Sequence, residues 1–131
     1  MKIALDTNAY SSLQIGKAEQ LKDIVNQADQ IILPFIVDAE LKAGFHKGKR
    51  KVDNYAKLEK FRNLDRVLII WPNDLTDELY AQIWSDLSKK GKPIPTNDVW
   101  IAAICLQYQL TLATNDSHFD YISLLQSITI K

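Results

Sequence analysis

Residues 3–8 read Ile-Ala-Leu-Asp-Thr-Asn, three apolar side chains stopped by three polar ones. A short apolar run without polar alternation marks a strand buried on both faces, and Asp6, Thr7 and Asn8 form a polar turn at its carboxyl end. The same punctuation recurs along the chain. Residues 31–33 stop at Pro34, residues 67–71 at Pro72, and residues 111–113 at Thr114, Asn115 and Asp116, while residues 127–130 add an edge strand. Stretches of helical period fill the gaps at residues 8–15, 17–28, 36–46, 49–64, 74–90 and 97–109. Strands alternating with helices predict an α/β fold, a three-layer sandwich around a mainly parallel central sheet of four or five strands.

The 131 residues suit one compact domain, and no repeat or long linker divides residues 1–131; the loop over residues 89–96, with Gly91, Pro93 and Pro95, reads as a connection within it. Apolar residues make up 47% and charged residues 24%, which excludes a disordered or fibrous chain. Sixteen Lys and Arg balance sixteen Asp and Glu. The chain as a whole therefore offers no field to gather a polyanion, which would need a local basic patch or a metal. The single Cys105 excludes an intramolecular disulfide and a Cys-rich zinc site, and fits a reducing compartment. No apolar run approaches the ~18 residues of a membrane span, and the opening MKIALDTN is too short for a signal-peptide core. A cytoplasmic protein without membrane attachment is the expectation.

The acids carry the chemistry. On a helical wheel of residues 36–46, Ile36, Val37, Ala39, Leu41, Ala43, Gly44 and Phe45 form an apolar arc, with Asp38, Lys42 and His46 opposite. Glu40 falls near the middle of the apolar arc, where an unpaired carboxylate must be neutralised, paired or bound to a cation. Lys47, at nearly the same wheel angle, is the alternative partner. The helix over residues 97–109 is apolar almost all round and so buried, with Asp98 in its first turn at the positive end of the helix dipole. Asp6 and Asp116 lie at or just past the ends of strands, the edge where open α/β sheets bind ligands. Each acid has an ordinary explanation as a cap or turn residue. The four together, without matching cations nearby in sequence, call for a hard cation. Mg²⁺, or Mn²⁺, suits carboxylate and water oxygens, whereas His46 and His118 fall in no zinc spacing and are expected on the surface or in loops. His118 is close enough to Asp116 to reach a substrate.

Taken together these motifs resemble the PIN domain nucleases, and among them the small VapC-type toxins of toxin–antitoxin pairs. ALDTN resembles the first acidic motif, with Asp6 as a metal ligand supported by Thr7 and Asn8. AELKAG is similar to the second, with Glu40 as its acid; NDVWIAA to the third, with Asp98; and TNDSHF to the fourth, with Thr114, Asn115 and Asp116, where either Asn115 or Asp116 faces the metal. The resemblance spans essentially the whole chain. It implies a PIN-like sandwich and Mg²⁺-dependent endonucleolytic hydrolysis of RNA, with Asp6, Asp98 and Asp116 holding one or two ions and Glu40 orienting or deprotonating water. It further implies a homodimer neutralised by a small antitoxin protein.

Lys42, Lys47, Lys49, Arg50 and Lys51 follow Glu40 with no intervening acid, so phosphate contacts beside the acids are expected there. Trp71, Trp84 and Tyr80 are candidates for base stacking, with packing as the simpler role. Two alternatives stand against the nuclease: a non-catalytic PIN-fold module that binds RNA or protein, and a Mg²⁺-dependent phosphatase. The phosphatase reading lacks a second Asp two residues after Asp6, where Asn8 stands.

Overall fold

A computed structural model describes residues 1–130. Five parallel strands form one sheet: β1 (Lys2–Leu5), β2 (Gln30–Pro34), β3 (Val67–Ile70), β4 (Thr111–Thr114) and β5 (Gln126–Thr129), in the order β3-β2-β1-β4-β5. Helices α1 (Thr7–Gln14) and α2 (Glu19–Gln27) join β1 to β2, and α3 (Phe35–Lys47) and α4 (Lys51–Arg62) join β2 to β3. The return from β3 to β4 runs through α5 (Asp74–Lys89) and α6 (Thr96–Tyr108), and a short 3-10 helix, Ser117–Tyr121, precedes β5. Strand progression reverses between β1 and β4. Right-handed crossovers therefore put α1 to α4 on one face and α5 and α6 on the other, the three layers expected from the sequence.

The central strands read as continuous apolar runs because both faces are covered. Ile3, Ala4, Leu5, Leu33, Leu112 and Ala113 have no solvent exposure. Helix α6 is buried over Val99 and Ile101–Cys105, as its all-round apolarity requires. Helix ends are closed by specific devices. Asn73 and Thr76 form a capping box at the start of α5. Past its end Gly91 takes φ 68°, a left-handed conformation that brings the Lys92 amide to the Leu87 carbonyl. The Arg66 guanidinium donates to the carbonyls of Val25 and Ala28 at 3.0 and 2.6 Å, closing α2 from a distant part of the chain.

The wheel of α3 needs one correction. Its buried face consists of Val37, Asp38 and Leu41, whereas Ala39, Ala43 and Gly44, assigned to the apolar arc, are exposed. Asp38, expected on the polar side, is 6% exposed and pairs with Lys42 (2.9 Å) and Arg62 (3.8 Å). Small residues at Ala39, Ala43 and Gly44 broadened the apparent apolar arc without contributing to packing, and the true centre is Val37 and Leu41, one helical turn apart. The half-exposed Lys42 and Arg62 supply the charge that lets this carboxylate be buried.

Candidate active site

Asp6 follows β1 directly and is the N-cap of α1; its Oδ1 accepts from the Ala9 amide at 2.8 Å. Its Oδ2 accepts from the hydroxyl of Thr114, the last residue of the neighbouring strand β4, at 2.5 Å. Both side chains are buried, at 5% exposure. The capping role and a place in the acid cluster are thus combined in one residue. Burial pushes the Asp6 carboxyl up, the Thr114 and Ala9 bonds pull it down, and repulsion from Asp116 and Glu40 adds to the rise.

Glu40 reaches the same place from the middle of α3. Its Oε1 accepts from the Thr7 hydroxyl at 3.0 Å and its Oε2 from the Asn97 amide at 3.3 Å. It makes no ion pair with Lys47 among the described residues, so the α3 acid is held by two neutral donors from other elements. Asp98, in the first turn of α6, is pushed up by burial and by repulsion from Asp116 and Glu40, with His118 opposing. Repulsion from Asp116 and Glu40 is therefore felt at both Asp6 and Asp98, which ties the four acids into one electrostatic unit.

The turn after β4 completes the acid cluster. Asp116 is the N-cap of the 3-10 helix: its Oδ1 accepts from the His118 amide, and its own amide donates to the Thr114 hydroxyl, both at 2.9 Å. The side chain of Asp116, not that of Asn115, joins the other acids. Asn115 is exposed and accepts from the side-chain amide of Asn8 at 3.4 Å. Asp98, Asp116 and His118 each offer a ligand atom, all within 4.8 Å of one another. His118 stands in the 3-10 helix beside the acids, while His46 is exposed at the end of α3 against Tyr55.

Two further features went unread in the sequence. Asn97 as a donor to Glu40 and His118 as a contact of Asp98 both cross between elements, and only the nearness of His118 to Asp116 was readable, from their two-residue spacing. Among the described residues no Lys or Arg pairs with Asp6, Glu40, Asp98 or Asp116. Four acids with one imidazole and no fixed cation make a donor set suited to a divalent ion.

The sequence profile described as PIN domain matches residues 3–124 of this chain. The chain belongs to the PIN domain family. It is 30% identical over 126 residues to the ribonuclease VapC1 of Haemophilus influenzae (strain R2866), which covers 93% of this chain and 92% of the relative. The ribonuclease VapC2 of Rickettsia felis is 33% identical over 94 residues, 72% of this chain and 69% of the relative. Among solved structures, VapBC2 from Rickettsia felis bound to a DNA fragment from its promoter superposes with a TM-score of 0.88 at 28% identity, over 100% of both chains. The acids of this PIN domain lie where the strand order reverses, at the carboxyl ends of β1 and β4 and the facing ends or flanks of α3 and α6.

The basic stretch divides in the structure. Lys42 is engaged by the buried Asp38, which also pairs with Arg62 of α4. Lys47, Lys49, Arg50 and Lys51 are exposed, from the end of α3 to the start of α4. Trp71 and Trp84 are exposed and Tyr80 half-buried; Trp71 packs on Phe35 and Tyr80 on Trp100. Among the described residues no helix is long and apolar enough to cross a membrane.

Proposed function

We propose that the chain is a divalent-metal-dependent endoribonuclease, the toxin of a toxin–antitoxin pair, acting as a single PIN domain over residues 1–131 in the cytoplasm. The observation that carries this reading is the convergence of Asp6, Glu40, Asp98 and Asp116 on one cluster in which, among the described residues, no lysine or arginine pairs with them. Relatives named ribonuclease, at about 30% identity over nearly the whole chain, support the substrate class.

Mg²⁺ or Mn²⁺, when bound, supplies Lewis-acid polarisation of a phosphoryl oxygen and lowers the pKa of water. In this reading Asp6, Asp98 and Asp116 hold the cation directly or through water. Glu40, clamped by Thr7 and Asn97, orients the attacking water and accepts its proton. Thr114 keeps Asp6 turned into the cluster, and the Asn8–Asn115 contact joins α1 to the turn after β4. Lys47, Lys49 and Arg50 meet the RNA backbone by charge, while Lys42, already paired, contributes less. A small antitoxin protein restrains the enzyme, and the active unit is a homodimer; the likeness to a VapBC complex supports the first of these.

The test uses the purified full chain with total RNA or a single-stranded oligoribonucleotide, with Mg²⁺ or with EDTA. Cleavage requires the metal and is lost in Asp6→Asn and in Asp98→Asn. Undiminished cleavage by either variant, or cleavage in EDTA, overturns the mechanism. A strict monomer by light scattering at high concentration overturns the dimer.

A further inference from the structure

The four acids of the site are not equally available to a cation. Both oxygens of Asp6 already accept from protein donors, and so do both of Glu40. Asp98 Oδ1 and Asp116 Oδ2 have no partner among the described residues, and the second oxygen of each is drawn to the same atom, His118 Nδ1, at 3.1 Å in both cases. Only the contact to Asp98 has hydrogen-bond geometry. One N–H cannot serve two carboxylates on equal terms, and here only Asp98 receives a hydrogen bond from the shared ring nitrogen while Asp116 stands at the same distance without one. As a ligand it fits better. An octahedral ion with bonds of roughly 2.1 Å places neighbouring ligand atoms about 3.0 Å apart, close to both observed separations.

We propose that His118 is a nitrogen ligand of the metal centre, completing an Asp98–Asp116–His118 set that takes Mn²⁺ and other first-row transition ions in preference to Mg²⁺. The inference rests on the metal-dependent reading of the site given above and adds to it the donor and the class of ion. Chemistry sets the preference: imidazole adds affinity for transition ions and little for Mg²⁺, which favours oxygen and keeps its water. To serve as a ligand, Nδ1 would offer its lone pair and carry its proton on Nε2, which has no partner among the described residues.

The decisive experiment is pulsed electron paramagnetic resonance of the full chain loaded with Mn²⁺ alone. The expected result is ¹⁴N modulation from one imidazole, altered by ¹⁵N-histidine labelling, abolished in His118→Ala and retained in His46→Ala, whose ring lies at the far end of α3. Competition titration is expected to show the ratio of Mn²⁺ to Mg²⁺ affinity falling about tenfold or more in His118→Ala. Bound Mn²⁺ without nitrogen modulation, or an unchanged affinity ratio, overturns the assignment of His118 and leaves the acid-only centre standing. Absence of any Mn²⁺ or Mg²⁺ binding overturns both. The labelled wild-type protein gives the answer even if the alanine variant fails to fold.

Discussion

Replacing Thr114 by valine tests the join between the two strands that carry the site. The side chains of Thr114 and Asp6 are both 5% exposed, and the hydroxyl donates to Asp6 Oδ2 while accepting from the Asp116 amide. Valine keeps the shape and removes both bonds. A hydrogen bond to a charged group contributes roughly 1.5–3 kcal/mol and a neutral one about 1 kcal/mol, so the loss at pH 7 is expected near 3 kcal/mol. Spread over a chain of this length, that lowers Tm by about 10 °C. The sign with pH follows from Asp6. The Thr114 bond favours the ionised carboxylate and partly offsets the rise that burial causes. Its deletion raises the carboxyl further, so the deficit is largest where Asp6 is charged and shrinks as pH falls through the raised folded values, above the ordinary Asp range near 4. Thermal and urea unfolding of metal-free protein, followed by circular dichroism at pH 7 and pH 4 with Thr114→Ser as the hydroxyl-retaining control, measures both effects. A variant as stable as the parent at pH 7, or an equal deficit at both pH values, refutes the role assigned to this bond.

Asp98→Asn removes one charge from the repelling group, so the metal-free variant is expected to melt at or above the parent Tm at pH 7 while losing more than about a hundredfold in cleavage; a large drop in Tm counts against repulsion as the dominant effect. The raised carboxyls of Asp6 and Asp98 bind protons more tightly folded than unfolded, so their contribution to stability is present at low pH and lost as pH rises through their folded values. The double variant Asp6→Asn, Asp98→Asn is therefore expected to gain on the parent between about pH 4 and pH 7 in urea midpoints taken in EDTA, and a constant difference would contradict this. Adding Mg²⁺ or Mn²⁺ at a hundred times its Kd is expected to stabilise the parent by about 2.7 kcal/mol, a rise of roughly 10 °C that differential scanning fluorimetry should not find in Asp98→Asn.

The strands were readable because each is a short apolar run closed by Pro or by a polar triplet, and both signals are local. So was the burial of α6, whose apolarity leaves no outward face. The α3 wheel failed in an instructive way. Hydropathy counts alanine and glycine as apolar, yet Ala39, Ala43 and Gly44 have little surface to bury, and the charges of Lys42 and Arg62 allow Asp38 to turn inward. Glu40 was picked out by its place among those small residues. The feature that distinguishes it in the structure is different: it faces Thr7 and Asn97 rather than the core. The choice between Asn115 and Asp116 was undetermined in the sequence because the backbone turn that aims each side chain depends on the Thr114 hydroxyl and the 3-10 helix, neither of which a pattern of residue types specifies.

Why the acids meet at all is a matter of topology. Strand order puts β1 beside β4, both running the same way, and the reversal of strand progression there sends α1 to one face and α6 to the other, leaving their amino ends open toward the same edge. Each end contributes an acid, the third comes from the turn after β4, and α3 brings Glu40 across. Repulsion among them has no local remedy, because the elements that hold them are anchored by a core that cannot shift without exposing Leu5, Ile104 or Leu112. Fold stability thus holds the charges in place on its own, so that the cation of the proposed function would meet donors already oriented. A chain of zero net charge is in this way divided into an anionic cluster and an exposed cationic stretch from Lys47 to Lys51. In the proposed function the first holds the divalent ion and the second meets the RNA backbone, so the two charges of the chain serve two different ligands.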